Sequence, residues 1–206
     1  MILTNGDSPS SELAKAESLR HDLLIAVDGA ANRAKHLSLT PNIICGDYDS
    51  VSLEAATEDF PVAEFILTPD QNYADLEKAI LLAVERGATE IAVLGASGGR
   101  LDHTLGNLAV MQRYSGAVKL VFLDDSGSCR SLSAPQTVRF QVNIGDTVSL
   151  VAFQSNSVVS IKGVKWELEE YPLPVGTQGV SNLAASNTVE VSVSSGAVFV
   201  LISNLV

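Results

Sequence analysis

Short, uninterrupted apolar runs punctuate the first two thirds of the chain: Leu23-Leu24-Ile25-Ala26-Val27, Ile43-Ile44-Cys45, Ile91-Ala92-Val93-Leu94 and Leu120-Val121-Phe122-Leu123. A strand with one wet face alternates apolar and polar residues, whereas a strand covered on both faces reads as apolar throughout. Runs of this kind call for a parallel sheet flanked by helices. Ile2-Leu3 and Phe65-Ile66-Leu67 read as further strands. Helical signals separate them. One covers 10–19, with Leu13, Ala14 and Ala16 on one side, and a second covers about 30–37. A third carries Leu76, Ala79, Ile80, Ala83 and Val84 at the spacing of one helical face and is ended by Gly87. A fourth lies near 104–114. This alternation predicts a doubly wound, mostly parallel α/β sheet.

The pattern changes after Asp124-Asp125-Ser126-Gly127-Ser128. From there on, short β-rich runs replace helical periods: Thr137–Val142, Thr147–Val151, Val158–Lys162, Thr188–Val193 and 197–202. Ser194-Ser195-Gly196 reads as a hairpin-like turn between the last two runs. Closely spaced strands with turn residues between them predict a small antiparallel sandwich or barrel. The expected division is an α/β domain over 1–127 and a small all-β domain over 128–206.

Composition narrows the function classes. The chain has 206 residues, 46% of them hydrophobic, and a formal net charge of −11. It can bury a core and does not read as disordered. So acidic a chain argues against a nucleic-acid partner, because duplex binding rests on Lys and Arg neutralising phosphates. No apolar run approaches the length that spans a bilayer, and the first residues lack the pattern of a signal peptide. Cys45 and Cys129 form neither a metal-ligand spacing nor a disulfide framework. A cytoplasmic location is expected.

Acidic and glycine-rich clusters stand where the predicted strands end, and open α/β sheets hold their ligands at that edge. They are Asp28-Gly29, Gly46-Asp47-Tyr48-Asp49-Ser50, the stretch from Asp70 to Asp75, and Gly98-Gly99-Arg100-Leu101-Asp102-His103. Converging carboxylates repel one another unless a cation is bound. Hard oxygen ligands suit Mg²⁺, which takes one or two carboxylates and completes its shell with water and substrate phosphates. A lone Asp47-x-Asp49 would read as turn chemistry; Gly46 and the other clusters favour a site. Asp75 and Lys78 share a helical face, either as a surface pair or with Lys78 touching phosphate. The turn 95–100 exposes backbone N–H groups at a helix start, and Arg100 adds a fork of donors matched to phosphate oxygens. It fits neither the Walker A nor the dinucleotide fingerprint. Asp102 sits in the first helical turn. His103 reads as a structural or phosphate-contacting residue, because phosphoryl transfer rests on positioning and charge neutralisation more than on a base. Trp166, the only tryptophan, is either a core aromatic or a flat wall for a cationic aromatic ligand. Ser181 and Asn182 add hydrogen-bonding groups. A magnesium–nucleotide enzyme is the leading reading; a Mg²⁺-dependent phosphohydrolase and a catalytically dead ligand-binding regulatory protein are the competing classes. The phosphohydrolase gives the β domain no role, and the binding protein requires lost carboxylates.

Taken in order, these segments resemble the thiamin pyrophosphokinase family. The matching pieces are Asn5-Gly6-Asp7, Asp28-Gly29-Ala30-Ala31-Asn32, Gly46-Asp47-Tyr48-Asp49-Ser50, Asp70-Gln71 with Asp75 and Lys78, and Gly98–His103 with Asn107. In the β region they are Gly163-Val164-Lys165-Trp166-Glu167-Leu168, Gly176 and Ser181-Asn182. The resemblance implies transfer of a pyrophosphoryl group from ATP to the thiamin hydroxyl. It implies Mg²⁺, and a homodimer whose active sites combine the catalytic domain of one subunit with the β domain of its partner. Carried over by position, Asp47, Asp49, Asp75 and Asp102 form the metal and thiamin-hydroxyl site, with Asp47, Asp49 and Asp75 as metal ligands. Lys78 and Arg100 contact phosphates. Asp28, Asn32, Gln71, Gly98, Gly99 and His103 belong to the ATP side, and Trp166, Ser181 and Asn182 face thiamin. Ala74 stands where the family more often has Thr, which removes a hydroxyl. Tyr48 replaces a commoner Phe, and the loop 169–178 departs from the family pattern.

Overall fold

In a computed structural model, residues 1–48 and 52–203 are described. Asp49, Ser50 and Val51 lie outside them. The chain divides into two compact units, one of residues 1–110 and 118–125, the other of 111–117 and 126–206.

In the first unit, β1 (Ile2–Leu3), β2 (Ile25–Val27), β3 (Ile43–Gly46), β4 (Glu64–Leu67), β5 (Glu90–Leu94) and β6 (Lys119–Asp124) all pair in parallel. Their order is β6-β5-β1-β2-β3-β4. The progression therefore reverses at β1, and the β1/β5 boundary is a topological switch point of the kind that opens a ligand crevice. Register aligns Leu3, Ala26, Ile44, Phe65 and Leu94 across the sheet, so the segments after these strands start from one rim. The expected parallel α/β sheet is present.

The helices of this unit begin where local chemistry allows. Ser10 caps α1 (Ser11–Ser18), its hydroxyl accepting from the Leu13 N–H at 3.2 Å. Ser52 does the same for α3 (Leu53–Asp59), a helix the sequence reading misses. The alanines of α2 (Ala30–His36) reach the core with Leu3, Ala26, Ile44 and Leu94. The face of α4 (Asp75–Glu85) differs from its prediction: Leu76, Ala79, Ile80 and Ala83 are buried, but Val84 is 40% exposed, while Glu77 and Lys78 are buried. On α1 the buried residues are Ala14 and Glu17. Helix α5 (Leu101–Tyr114) starts three residues earlier than the periodicity suggests.

The second unit contains two antiparallel sheets. One has the order β12-β9-β14-β7 and the other β11-β10-β13-β8. The strands are β7 (Gly127–Ser133), β8 (Gln136–Gln141), β9 (Thr147–Val151), β10 (Val158–Lys162), β11 (Leu168–Pro172), β12 (Asn182–Leu183), β13 (Thr188–Ser195) and β14 (Ala197–Ser203). Alternate residues from both sheets meet in one core: Val148 and Leu150, Val159 and Ile161, Val189, Val191 and Val193, Val198 and Val200. This is a sandwich.

One expected turn is wrong. β13 pairs with β8 and β10, whereas β14 pairs with β7 and β9. Ser194-Ser195-Gly196 is thus a corner that carries the chain from one sheet to the other, and no hairpin forms. Gly196 makes the corner at φ +70, pressed so close that a Cβ would lie 2.8 Å from the Ser157 Oγ and 2.9 Å from its Cα. Alternation looks the same on either side of a hairpin or a corner, so the sequence pattern does not separate them. Gly196→Ala is expected to reduce stability by roughly 1–3 kcal/mol, the cost of a strained backbone, read as a lower urea midpoint at unchanged slope. An unmoved midpoint would show that the corner tolerates a side chain.

Candidate functional site

Asp28 directly follows β2 and adopts a left-handed backbone with φ +46. Non-glycine residues rarely hold this conformation, and they do so mainly where the surroundings enforce it. Gly46, at the end of β3, leaves room for it: a Cβ at 46 would stand 2.9 Å from the Asp28 Cβ. Tyr48, just past β3, is also left-handed at φ +62. Its hydroxyl donates to the Ile44 carbonyl at 3.2 Å, and its ring lies 6.5 Å from that of Phe65. Asp28 is 8% exposed, and its Oδ1 is buried with no hydrogen-bond partner among the described residues.

Beneath this rim the Cys45 thiol is pushed up to about 12, first by burial, with Asp75 and Asp28 raising it and Lys78 lowering it. Asp28, Asp75 and Lys78 therefore lie within electrostatic reach of a single buried atom. They come from the ends of β2 and the first turn of α4. The Lys78 ammonium, 8% exposed, donates to Asp75 Oδ1 and to the Thr68 carbonyl, both at 3.0 Å. An ammonium has three donors, so one is left for another acceptor. The surface-pair reading of Asp75 and Lys78 fails on this burial. Ala74 caps α4 with no side-chain bond, which leaves the first-turn N–H groups to other acceptors.

Asp47 Oδ2 accepts from Gln71 Nε2 at 3.2 Å, linking the segments after β3 and β4. Asp70 Oδ1 accepts from the Asn72 backbone N–H at 2.9 Å and pins that loop. After β5, Gly95, Gly98 and Gly99 all have positive φ. The loop after β1 packs into this turn: the Gly6 N–H donates to the Gly95 carbonyl at 2.9 Å and the Asp7 N–H to the Ser97 carbonyl at 2.7 Å. A Cβ on Gly98 would overlap the Asp7 carboxylate. Asn107 Nδ2 donates to the Ala96 carbonyl at 2.7 Å and secures the turn from α5.

Arg100 and Asp102 face each other. Arg100 Nε and Nη2 donate to the two Asp102 oxygens at 3.1 and 2.6 Å, and the His103 N–H donates to Oδ1 at 3.0 Å. The Arg100 hydrogen bonds hold the Asp102 carboxyl below its ordinary range, and the same pairing pushes the guanidinium up. Arg100, Asp102, His103 and Asn32 are exposed.

The structure thus pairs Asp75 with Lys78, places both and Asp28 within electrostatic reach of Cys45, and ties Asp47 to Gln71. It puts Arg100 and Asp102 together at the start of α5. Asp49 falls outside the described residues. Among the described residues, no three of His, Cys, Asp and Glu form a ready-made metal cluster. The donor set suits a cation that draws the rest of its shell from water and phosphate, and the partnerless Asp28 Oδ1 marks acceptor capacity at this rim. The sequence reading missed Cys45, Thr68 and the packing of Asp7 against Gly98. The apolar run around Cys45 and the strand-end position of Thr68 were the signals available.

In the second unit, Trp166 is 55% exposed, so it is not a core aromatic. It borders a hollow of about 310 Å³ shared with Leu150, Ile161, Leu168, Gln178 and Ser181, within the size range of small-molecule sites. The Lys165 ammonium lies 4.7 Å from the centre of the indole ring. Ser181 is left-handed at φ +64, and Asn182 also lines the hollow.

The thiol at Cys45 gives a pH test. Its folded value of about 12 stands above the ordinary 9.0, so above pH 9 the unfolded chain releases a proton that the folded chain retains. Its contribution to stability is therefore intact below pH 9 and declines from pH 9 towards 12. Cys45→Ser is expected to flatten that part of the stability–pH curve. Native Cys45 should also resist alkylation at pH 8, followed by peptide mass mapping; rapid labelling would contradict its burial.

Comparison with known proteins gives this geometry its context. The family described as thiamin pyrophosphokinase, catalytic domain, matches residues 15–123, and the thiamin pyrophosphokinase vitamin B1 binding domain matches residues 136–198. The thiamin pyrophosphokinase 1 of Caenorhabditis elegans is 29% identical over 96% of this chain and 86% of its own. Thiamine pyrophosphokinase 1 of Oryza sativa is 27% identical over 88% of this chain and 79% of its own. Among solved structures, thiamine pyrophosphokinase from Bacillus subtilis superposes with a TM-score of 0.85 at 20% identity, covering 100% of this chain and 98% of that one. The enzyme from Candida albicans gives 0.82 at 16% identity, over 98% and 88%; these two likenesses speak to the fold. With its catalytic and vitamin-binding regions both matched in order, the chain belongs to the thiamin pyrophosphokinase family.

Proposed function

We propose that the rim at the ends of β2 to β5 binds Mg²⁺-ATP and that the Trp166 hollow takes thiamin. The activity is that of a thiamin diphosphokinase: the pyrophosphoryl group of ATP passes to the hydroxyl of thiamin, giving thiamin diphosphate and AMP. The thiamin oxygen bonds to the β-phosphorus as the bond from that phosphorus to the α–β bridging oxygen breaks. AMP leaves with the electron pair, and the hydroxyl proton passes to a nearby carboxylate or water. The observation that carries the reading is the buried Lys78 ammonium, held by Asp75 and the Thr68 carbonyl with a donor still to give.

Asp47, Asp49 and Asp75 would hold the metal, which when bound neutralises triphosphate charge. Lys78 and Arg100 then face phosphate oxygens, where positive charge favours the electron-rich transition state. Gln71, Asp28, Asn32, His103 and the Gly98-Gly99 turn line the nucleotide side. Asp102 stands with the carboxylates at the thiamin hydroxyl. Positioning supplies much of the rate, because an alcohol held in line with the phosphorus reacts without the entropy cost of a chance encounter. Trp166 and Ser181 face thiamin. The functional division is placed at 1–127 and 128–206, close to the two matched regions. By the family resemblance, the working form is a homodimer in which the catalytic unit of one protomer serves the β unit of its partner. ATP as co-substrate supports a cytoplasmic location; among the described residues no helix is long and apolar enough to cross a membrane.

Incubation with ATP, Mg²⁺ and thiamin should give AMP only when thiamin is present. Phosphate released without thiamin would indicate a hydrolase, and no turnover a binding protein. Asp49→Ala is expected to lower kcat about a hundredfold or more, the scale of a lost electrostatic contact in a transition state, with the circular dichroism spectrum unchanged. Near-normal turnover would remove Asp49 from the mechanism.

A further inference from the structure

Asn182 has the position of a thiamin contact, yet its side-chain amide is already occupied. Its Oδ1 accepts from the Trp166 backbone N–H at 3.1 Å and from the Leu183 N–H at 2.9 Å. Its Nδ2 donates to the Trp166 carbonyl at 2.7 Å. An amide offers two donors and one carbonyl oxygen, so the oxygen and one N–H are held within the protein.

The local backbone explains this arrangement. Segments 164–166 and 182–184 run antiparallel: Val164 bridges to Ala184, and the Lys165 N–H donates to the Leu183 carbonyl at 2.8 Å. Residue 166 then stands opposite residue 182, a pair whose backbone groups an antiparallel ladder leaves unbonded to each other. The backbone of Asn182 belongs to β12, which pairs with β9. Just before it, Ser181 turns away at φ +64, its N–H donating to the Ser149 hydroxyl at 2.9 Å. The Asn182 side chain therefore supplies the partners that the Trp166 backbone does not find in the ladder. An amide carries the same donor and acceptor as a peptide group, so it satisfies both the N–H and the C=O of residue 166. Alanine supplies neither, and aspartate supplies only the acceptor.

We propose that Asn182 is a positioning residue that acts through Trp166, holding its backbone so that the indole stands as a fixed wall of the hollow. This inference rests on the reading of the hollow as the thiamin site. Wall and clamp together imply a flat heteroaromatic ligand. A preorganised aromatic surface avoids the cost of ordering that side chain when the ligand arrives.

A double-mutant cycle on the full-length protein tests it, because residues that act through one another are not additive. Asn182→Ala should raise the KM for thiamin about tenfold, the scale of one or two lost hydrogen bonds, with kcat little changed. In a Trp166→Ala background the same substitution should add nothing to KM. Asn182→Asp, which retains the acceptor, should fall between wild type and Asn182→Ala. Fully multiplicative effects on KM would show that Asn182 meets thiamin directly and would overturn the proposal. Trp166 is the only indole in the chain, so fluorescence anisotropy reports its mobility without any turnover. Anisotropy should fall in Asn182→Ala and recover in part in Asn182→Asp; an unchanged value would also overturn the proposal. If Trp166→Ala leaves KM untouched while the anisotropy behaves as expected, the clamp stands and the thiamin assignment of the hollow fails.

Discussion

Parallel pairing brings every strand of the first unit to the same rim at its C-terminal end, and the chemistry of this protein depends on that constraint. With Leu3, Ala26, Ile44, Phe65 and Leu94 in register, residues as far apart in sequence as Gly6, Asp28, Asp47, Thr68 and Gly95 begin their loops at one edge. The reversal of strand order at β1 separates the connections on its two sides. At that junction the Thr4 hydroxyl donates to the Leu94 carbonyl at 3.1 Å, and Gly6 and Gly98 permit contacts that a Cβ would block. The glycines at this edge thus set how closely the β1 and β5 loops approach, and with it the shape of the turn after β5.

A rim crowded with carboxylates must also be stable before substrate arrives. Three of the described carboxylates at the rim find different answers, while Asp28 Oδ1 is left without one. Asp75 has Lys78, Asp47 has Gln71, and Asp102 has Arg100. Lys78 is the most consequential, because its ammonium is almost fully buried while the Asp75 carboxylate is 45% exposed. Burial penalises the cation, and the ion pair together with the Thr68 carbonyl offsets the penalty. Removing Lys78 would leave Asp75 without its ion-pair partner. Removing Asp75 would leave a buried ammonium with one backbone acceptor. The pair is therefore structural and electrostatic at once, and kinetic effects of substitutions there need a parallel measurement of stability.

The sheet was legible because burial on both faces leaves a continuous apolar run that few other structures produce. Strand-end chemistry was legible for a related reason: residues after such runs are placed by topology, so Asp28, Asp47 and Gly95 could be assigned to one rim before any coordinate was known. Alternation gave the β-sandwich core at Val189, Val191 and Val193, but it carries no information on which sheet a strand joins, and the corner at Gly196 was read as a hairpin. Helix α3 escaped because Leu53-Glu54-Ala55-Ala56 is too short to show a period. Trp166 was ambiguous for a different reason. Composition tells how much apolar surface a side chain offers, and its neighbours alone decide whether that surface faces the core or a hollow.

The rim of the first unit and the hollow of the second are prepared differently, and the ligands proposed for them would explain why. Arg100 is engaged with both oxygens of Asp102, so a phosphate must displace the carboxylate to receive the same fork of donors. Both partners are exposed, and solvent screening keeps such a pair weak. On the proposed reading, exchange of carboxylate for a more highly charged phosphate would therefore be easy, the pair keeping the guanidinium placed until then. A ring stacked on Trp166 offers no comparable charge to drive rearrangement. It gains from a surface already in place, and the Asn182 amide supplies that surface at a point where the backbone has turned to another strand. On the proposed reading, charge recognition at the rim works through an exposed, exchangeable pair, while shape recognition in the sandwich calls for a wall fixed beforehand.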